Sequence, residues 1–188
     1  MRSGLPGPAE GVVGAPILDS VLSTLAEAPW EARREPIVVA VSGGLDSMCL
    51  LHLLRFYSSI GTGRIHVAHF DHRMRPESGE DARWLAGVTR AWELPIHRGE
   101  ATVSLTTEAK AREARYAFLA EVKASVSAGA VLTGHTADDQ AETVLFRAVR
   151  GSGPDGLVGI RPAREDGVER PLLRVWRTDI ETYAMRVG

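Results

Sequence analysis

Ser42-Gly43-Gly44-Leu45-Asp46-Ser47 brings glycines, hydroxyls and a carboxylate together in one short segment. Glycines let the backbone curl so that several N–H groups point into one concavity. The segment leaves the apolar run Ile37-Val38-Val39-Ala40-Val41 and enters a helical spacing of Met48, Leu51 and Leu54. A helix N-terminus therefore adds its positive end, and the two serines add further donors. Together these make a cradle for phosphate. A carboxylate among phosphate ligands repels them unless a divalent cation lies between, which makes Asp46 a natural Mg²⁺ ligand. A plain strand–turn–helix connection also uses Gly-Gly and a serine, but it does not need Asp-Ser directly after the glycines. The lysine of a Walker loop is missing. A literal G-x-G-x-x-G at 151–156 follows a helical pattern, contains Pro154 and opens no βαβ unit, so it reads as a loop.

Three further polar clusters stand out. His69-Phe70-Asp71-His72 ends an apolar stretch where a nucleotide base and ribose would lie beside the glycine turn. His69, Asp71 and His72, with His135 and Asp138, are alternatively the donors of a metal site, although no spacing here matches a familiar ligand set. Glu108, Arg112 and Arg115 share one helical face. The arginines there are placed either for phosphate or for ion pairing with Glu108. Gly134-His135-Thr136-Ala137-Asp138-Asp139 crowds acids into the first turn of a helix, which the helix dipole favours by itself. Asp139 and Glu142, three apart, also make a pocket for an ammonium group.

These clusters need a scaffold, and the apolar periodicity supplies one. Strands are expected at 37–41, 64–70, 95–98 and 130–133, and helices at 47–57, 77–92, 107–125 and 138–150. The alternation predicts an α/β fold, a parallel twisted sheet with helices on both faces, and each polar cluster falls at the carboxyl end of a strand. Asp166-Gly167 predicts a turn between short extended segments. Thr178 with Glu181 predicts a capping box for a last helix. Residues 1–35 read as a flexible Gly/Pro-rich leader followed by a helix with Ile17, Val21 and Leu25 on one side.

The 188 residues suffice for one core. A net charge of −2 argues against a polycation that coats nucleic acid. The basic residues are 20 Arg and 2 Lys, and arginine forks grip phosphate and carboxylate at two points. Cys49 stands alone, so neither an internal disulfide nor a cysteine-based zinc site can form. Its helical neighbours predict a core residue. No apolar run reaches the length of a membrane span, and no signal peptide is legible, so the chain reads as cytoplasmic.

Ser42-Gly43-Gly44 through Asp46-Ser47 resembles the signature of the N-type ATP pyrophosphatases, the PP-loop superfamily. Within it, His69-Phe70-Asp71-His72 with Arg75 and Ser78, Ala114-Arg115-Tyr116, Thr133-Gly134-His135 through Thr143, Arg150-Gly151-Ser152-Gly153, Gly156-Leu157 and Arg170-Pro171-Leu172-Leu173 resemble the tRNA(Ile)-lysidine synthetase family. The resemblance spans residues 37–183. It implies an adenine nucleotide alpha-hydrolase-like, Rossmann-like domain over 36–188, ending in the linker to C-terminal domains. It also implies adenylation of the wobble cytidine of isoleucine tRNA by ATP with Mg²⁺, and displacement of AMP by free lysine. On this resemblance Ala40, Ser42, Gly43, Gly44, Asp46, Ser47, His69 and Phe70 hold ATP. Asp46 holds Mg²⁺, Asp139 and Glu142 bind lysine, Arg112 and Arg115 face nucleotide or RNA, and His135 is catalytic. The sequence leaves the oligomeric state open, a homodimer included. A tRNA thiolation enzyme would need cysteine pairs, an amidotransferase-type synthetase would need a glutaminase partner domain, and a degenerate nucleotide-binding module would be expected to have lost Asp46, Asp139 or Glu142.

Overall fold

Ile37, Val38 and Val39 are all fully buried, the mark of a strand covered on both faces. In the computed structural model, which describes residues 16–73, 78–101, 107–151 and 158–187, they belong to β1 (Ile37–Ala40). β1 pairs in parallel with β2 (Ile65–Asp71) on one side and β4 (Ala130–Thr133) on the other. β3 (Ile96–Glu100) and β5 (Val168–Glu169) complete a parallel sheet of order β3-β2-β1-β4-β5. The strand order reverses beside β1. Loops leaving β1 and β4 therefore diverge and open a crevice at their carboxyl ends.

The helices divide between the faces. One face carries a cluster built from Ile37, Val39, Ile65, Val67 and Leu132 with the leucines of α3 (Leu45–Phe56) and Leu85 of α4 (Ser78–Ala91). α3 is buried over most of its circumference, as a helix without a wet face should be. The opposite face packs Val38, Ala68 and Val131 against Leu119 and Val122 of α5 (Glu108–Ser125). Thr107 caps α5, its hydroxyl accepting from the Lys110 N–H at 3.3 Å. The expected strands and helices thus appear with shifts of one or two residues at their ends.

Elsewhere the structure adds to or corrects the sequence reading. The turn at Gly167 joins Ala163 to Glu169 by an antiparallel bridge, and the second extended piece becomes β5. α1 (Pro16–Ala26) and α2 (Pro29–Ala32) are not set apart: Ile17, Val21, Leu25 and Trp30 lie in the same buried cluster as β1. The last helix, α7 (Arg177–Val187), begins one residue before Thr178, so Thr178 and Glu181 form no capping box. Its first N–H, on Arg177, is capped instead by the Asp138 carboxylate at 2.7 Å. Local sequence could not show a cap supplied from 39 residues away. The leader at 1–15, residues 152–156 of the G-x-G-x-x-G stretch, Arg75 and the Ser78 and Glu108 side chains lie outside the described residues.

Candidate functional site

Beyond β1 the backbone turns sharply. Gly43 has φ +91°, a conformation that L side chains rarely adopt. Gly44 is extended (φ −74°, ψ 159°) and is the N-cap of α3, with no side-chain cap. The serines hold the turn. Ser47 Oγ donates to the Gly44 carbonyl at 2.9 Å and accepts from the Ser42 N–H at 3.2 Å. Ser42 Oγ accepts from the Gly44 N–H at 3.3 Å and lies 3.2 Å from Ser47 Oγ. Bonds at the long end of the N–H···O range exchange readily for charge-assisted bonds to phosphate.

The loop after β4 lies against this turn. A Cβ on Gly134 would sit 3.1 Å from both the N and the Cα of Ser47, so a side chain here would need the two backbones to part by a few tenths of an ångström. Thr136 then opens α6 (Ala137–Val149) with a capping box. Its hydroxyl accepts from the Asp139 N–H at 3.4 Å, and Asp139 Oδ2 accepts from the Thr136 N–H at 2.7 Å.

Between the loops lies a cleft of about 320 Å³, lined by Ala40, Ser42, Gly44, Asp46, Ser47, His135, Asp139, Arg115 of α5 and Arg177 of α7. Asp46 Oδ2 accepts from Arg177 Nη2 at 2.7 Å. Asp46 Oδ1 is buried with no hydrogen-bond partner. A buried carboxylate oxygen left unmatched is costly, and a hard cation such as Mg²⁺ satisfies it with the donor chemistry such ions take. The residues present fit Mg²⁺.

His135 places Nδ1 2.9 Å from Thr133 Oγ1. Burial, and then the charges of Arg170, Arg115 and Arg112, lower its pKa to about 4 against an opposing effect of Asp139. The imidazole is therefore neutral at neutral pH, able to donate or accept a hydrogen bond but holding no proton to release as an acid. His72 also lines the cleft; burial and then Arg115 lower its pKa, and its buried Nδ1 has no partner.

Several expected site residues lie away from the cleft lining. Glu142 is exposed on α6, and Arg112 is exposed and folded over the Tyr116 ring at 4.9 Å. His69 is buried with Nδ1 2.8 Å from the Val41 carbonyl, tying the ends of β1 and β2 together. Phe70 packs between His72 and Phe118. Gly43 shapes the turn without lining the cleft. The alternative metal donors go separate ways, His69 to Val41, His135 to Thr133 and Asp138 to α7. Among the described residues no three His, Cys, Asp or Glu side chains gather as metal ligands. Arg177 is the cleft residue that the sequence did not single out, whereas His72 was read there as a strand-end polar residue and Gly134 as part of its motif. Arg177 meets Asp46 across 131 residues, so no local pattern could reveal it.

Residues 18–188 match the PP-loop domain family. The tRNA(Ile)-lysidine synthase of Thermotoga maritima is 40% identical over 159 residues, which cover 81% of this chain and 38% of that protein. That of Solibacter usitatus is 43% identical over 149 residues, 78% of this chain and 33% of the relative. The chain thus spans well under half the length of these curated relatives. Among solved structures, the U34-tRNA thiolase NcsA from Methanococcus maripaludis with its [4Fe-4S] cluster superposes with a TM-score of 0.71 at 16% identity, over 90% of this chain and 62% of that one. The NH3-dependent NAD synthetase from Campylobacter jejuni gives 0.55 at 15% identity, over 90% and 69%. At such identities the likeness is one of fold, the parallel-sheet fold of adenine nucleotide alpha-hydrolases.

Proposed function

Since the chain belongs to the PP-loop domain family, we propose that it is the catalytic part of an enzyme that uses ATP to ligate lysine to C2 of the wobble cytidine of isoleucine tRNA. Support comes from curated relatives named tRNA(Ile)-lysidine synthase. The observation that carries the reading is the meeting of the serine–glycine turn, Asp46, His135 and Asp139 in one cleft at the point where the strand order reverses.

The chemistry balances in two steps. The cytidine O2 attacks the α-phosphorus of ATP, and pyrophosphate leaves. The lysine ammonium gives a proton to water, the neutral amine attacks C2, AMP departs with the oxygen, and the new C–N nitrogen sheds its extra proton. Ser42, Gly44 and Ser47 hold the leaving pyrophosphate with N–H and hydroxyl donors, at the positive end of α3. Asp46 would hold Mg²⁺, which neutralises phosphate charge when bound. His135, uncharged, hydrogen-bonds without adding a positive charge near the lysine amine. Asp139 reaches the cleft and binds the ammonium, with Glu142 one turn further along α6 guiding its entry. Sulfur transfer is disfavoured, because Cys49 is buried and its thiol is pushed up to about 12 by burial and by Asp46.

The test uses labelled lysine, ATP and isoleucine tRNA. Pyrophosphate release that depends on tRNA, and lysine joined to the tRNA, are the expected products. Asp139→Asn should lower lysine affinity about tenfold to a hundredfold, the worth of one charged hydrogen bond, while adenylation persists. Glu142→Gln should do less. Adenylation without any lysine transfer would remove lysine from the reading.

A further inference from the structure

Tyr116 is ringed by guanidinium cations. The Cζ atoms of Arg112, Arg115 and Arg164 lie 4.9, 5.3 and 5.0 Å from its ring centroid. Arg112 Nη2 donates to the phenol oxygen at 3.4 Å. Arg170 acts on the same phenol and is 5% exposed. Its Nη1 donates to the Arg161 carbonyl at 2.6 Å, and its Nε is buried without a partner, as is Arg115 Nε. Among the described residues, only Arg164 of this group has a carboxylate partner, Asp166 at 2.8 Å.

Cations gathered in this way repel one another, more strongly where water is partly excluded. Ring stacking and a backbone carbonyl fix their positions but do not neutralise them. Buried charges are otherwise paired or matched by a ligand. The effect reaches both neighbours: burial pushes the Tyr116 phenol up, but Arg112, Arg115 and Arg170 outweigh it and hold the phenol below its ordinary value. The same arginines help to keep His135 uncharged. Among the described residues Asp166, on Arg164, is the one carboxylate that meets the cluster, and Arg112, Arg115 and Arg170 have none. The serine–glycine turn does not supply one, and Arg112, Arg164 and Arg170 do not line the cleft beside that turn, whereas Arg115 does.

We propose that Arg112, Arg164 and Arg170 around Tyr116, joined to the cleft through Arg115, form a second phosphate subsite that takes a backbone phosphate of the RNA next to the reacting base. The inference rests on the reading of the chain as an RNA-acting enzyme. Planar guanidinium forks bind phosphate oxygens in pairs, and an aromatic ring beneath them keeps the forks preorganised. A phosphate held here sets the strand so that one base projects past Arg115 into the cleft. A distal phosphate of ATP offers the same chemistry, so the test must separate the two sources.

Isoleucine tRNA is titrated across a salt series with the chain and with Arg164→Gln, and ATP is titrated in parallel. Arg164→Gln should weaken tRNA binding by about tenfold and reduce the slope of log affinity against log salt by about one, with ATP affinity unchanged. Arg170→Gln should lose more, and Arg170→Lys should recover part of the loss by restoring charge without the fork. Because Arg170 is buried, its variants are melted alongside; if they unfold, exposed Arg164 carries the test. Unchanged tRNA affinity and slope overturn the subsite. So does a loss confined to ATP, which reassigns the arginines to the nucleotide, and so does an absence of tRNA binding at low salt. Lysine transfer is read separately. A chain that binds tRNA through these arginines yet joins no lysine to it disposes of the proposed reaction and leaves the subsite standing.

Discussion

Asp46 divides its carboxylate between two environments, with one oxygen on Arg177 and the other buried and unmatched. Asp46→Asn keeps the shape and removes the charge. We expect pyrophosphate release to fall on the order of a hundredfold or more, since cation-assisted stabilisation of phosphate charge is worth several kcal/mol. The melting temperature should move little, because the Arg177 side chain is 57% exposed and such pairs contribute little to stability. Near wild-type pyrophosphate release would remove Asp46 from the phosphate chemistry. Asp46, Ser42 and Ser47 were legible because one short segment carries all of them. Asp139 was legible through its helix-start pattern, although that pattern did not show that one of its oxygens serves Thr136. His69 marks the limit at this scale. A histidine at a strand end looks the same in sequence whether it meets a ligand or, as here, a backbone carbonyl.

Two loops and a helix start form the cleft, and the loops touch through Gly134. Gly134→Ala puts a methyl group 3.1 Å from Ser47 backbone atoms that cannot swing aside as a side chain would. The loops must part by a few tenths of an ångström, which disturbs the Ser42–Ser47 bonds. We expect ATP affinity to drop about tenfold or more with a stability loss of about 1–3 kcal/mol, the usual cost of overpacking. Equilibrium ATP binding and denaturant unfolding check the two values, and unaltered ATP binding would mean that the loops tolerate separation. The elements themselves were readable, since an apolar strand followed by a helical spacing recurs along the chain. β5 was readable only as a short extended segment after the Asp166-Gly167 turn, because Val168–Glu169 is too short to show a period or a pairing partner. The start of α7 was not, because Asp138 caps it from another helix.

Across the whole molecule, buried imidazoles tie folding to pH. Burial lowers the pKa of His52 to about 4, and burial with neighbouring arginines does the same for His135. In the unfolded chain both take up a proton near pH ~6.5. Between pH 6.5 and about 4 the unfolded state therefore binds protons that the native state refuses, so stability is full above this window and falls as pH drops through it. Thermal melts from pH 7.5 to 4.5 should show the decline, with a shallower slope in His52→Gln and in His135→Gln; a flat profile would contradict it. Parallel strands and helices on both faces followed from alternation alone, whereas the order of strands needed the structure. Among the described residues no helix is long and apolar enough to cross a membrane. α7 connects the two ends of this architecture. Ile180 and Tyr183 sit in the main core, with Tyr183 Oη 2.7 Å from His52 Nδ1, while Arg177 grips Asp46 in the cleft. A ligand that draws Asp46 away from Arg177 alters the first turn of α7, immediately after Trp176, whose indole is 53% exposed. The protein thus carries an intrinsic fluorophore beside its own cleft. Titrating Mg²⁺ and ATP should shift tryptophan emission in the wild type and not in Trp176→Phe, and an unresponsive wild type would mean that Arg177 keeps hold of Asp46 when the cleft fills.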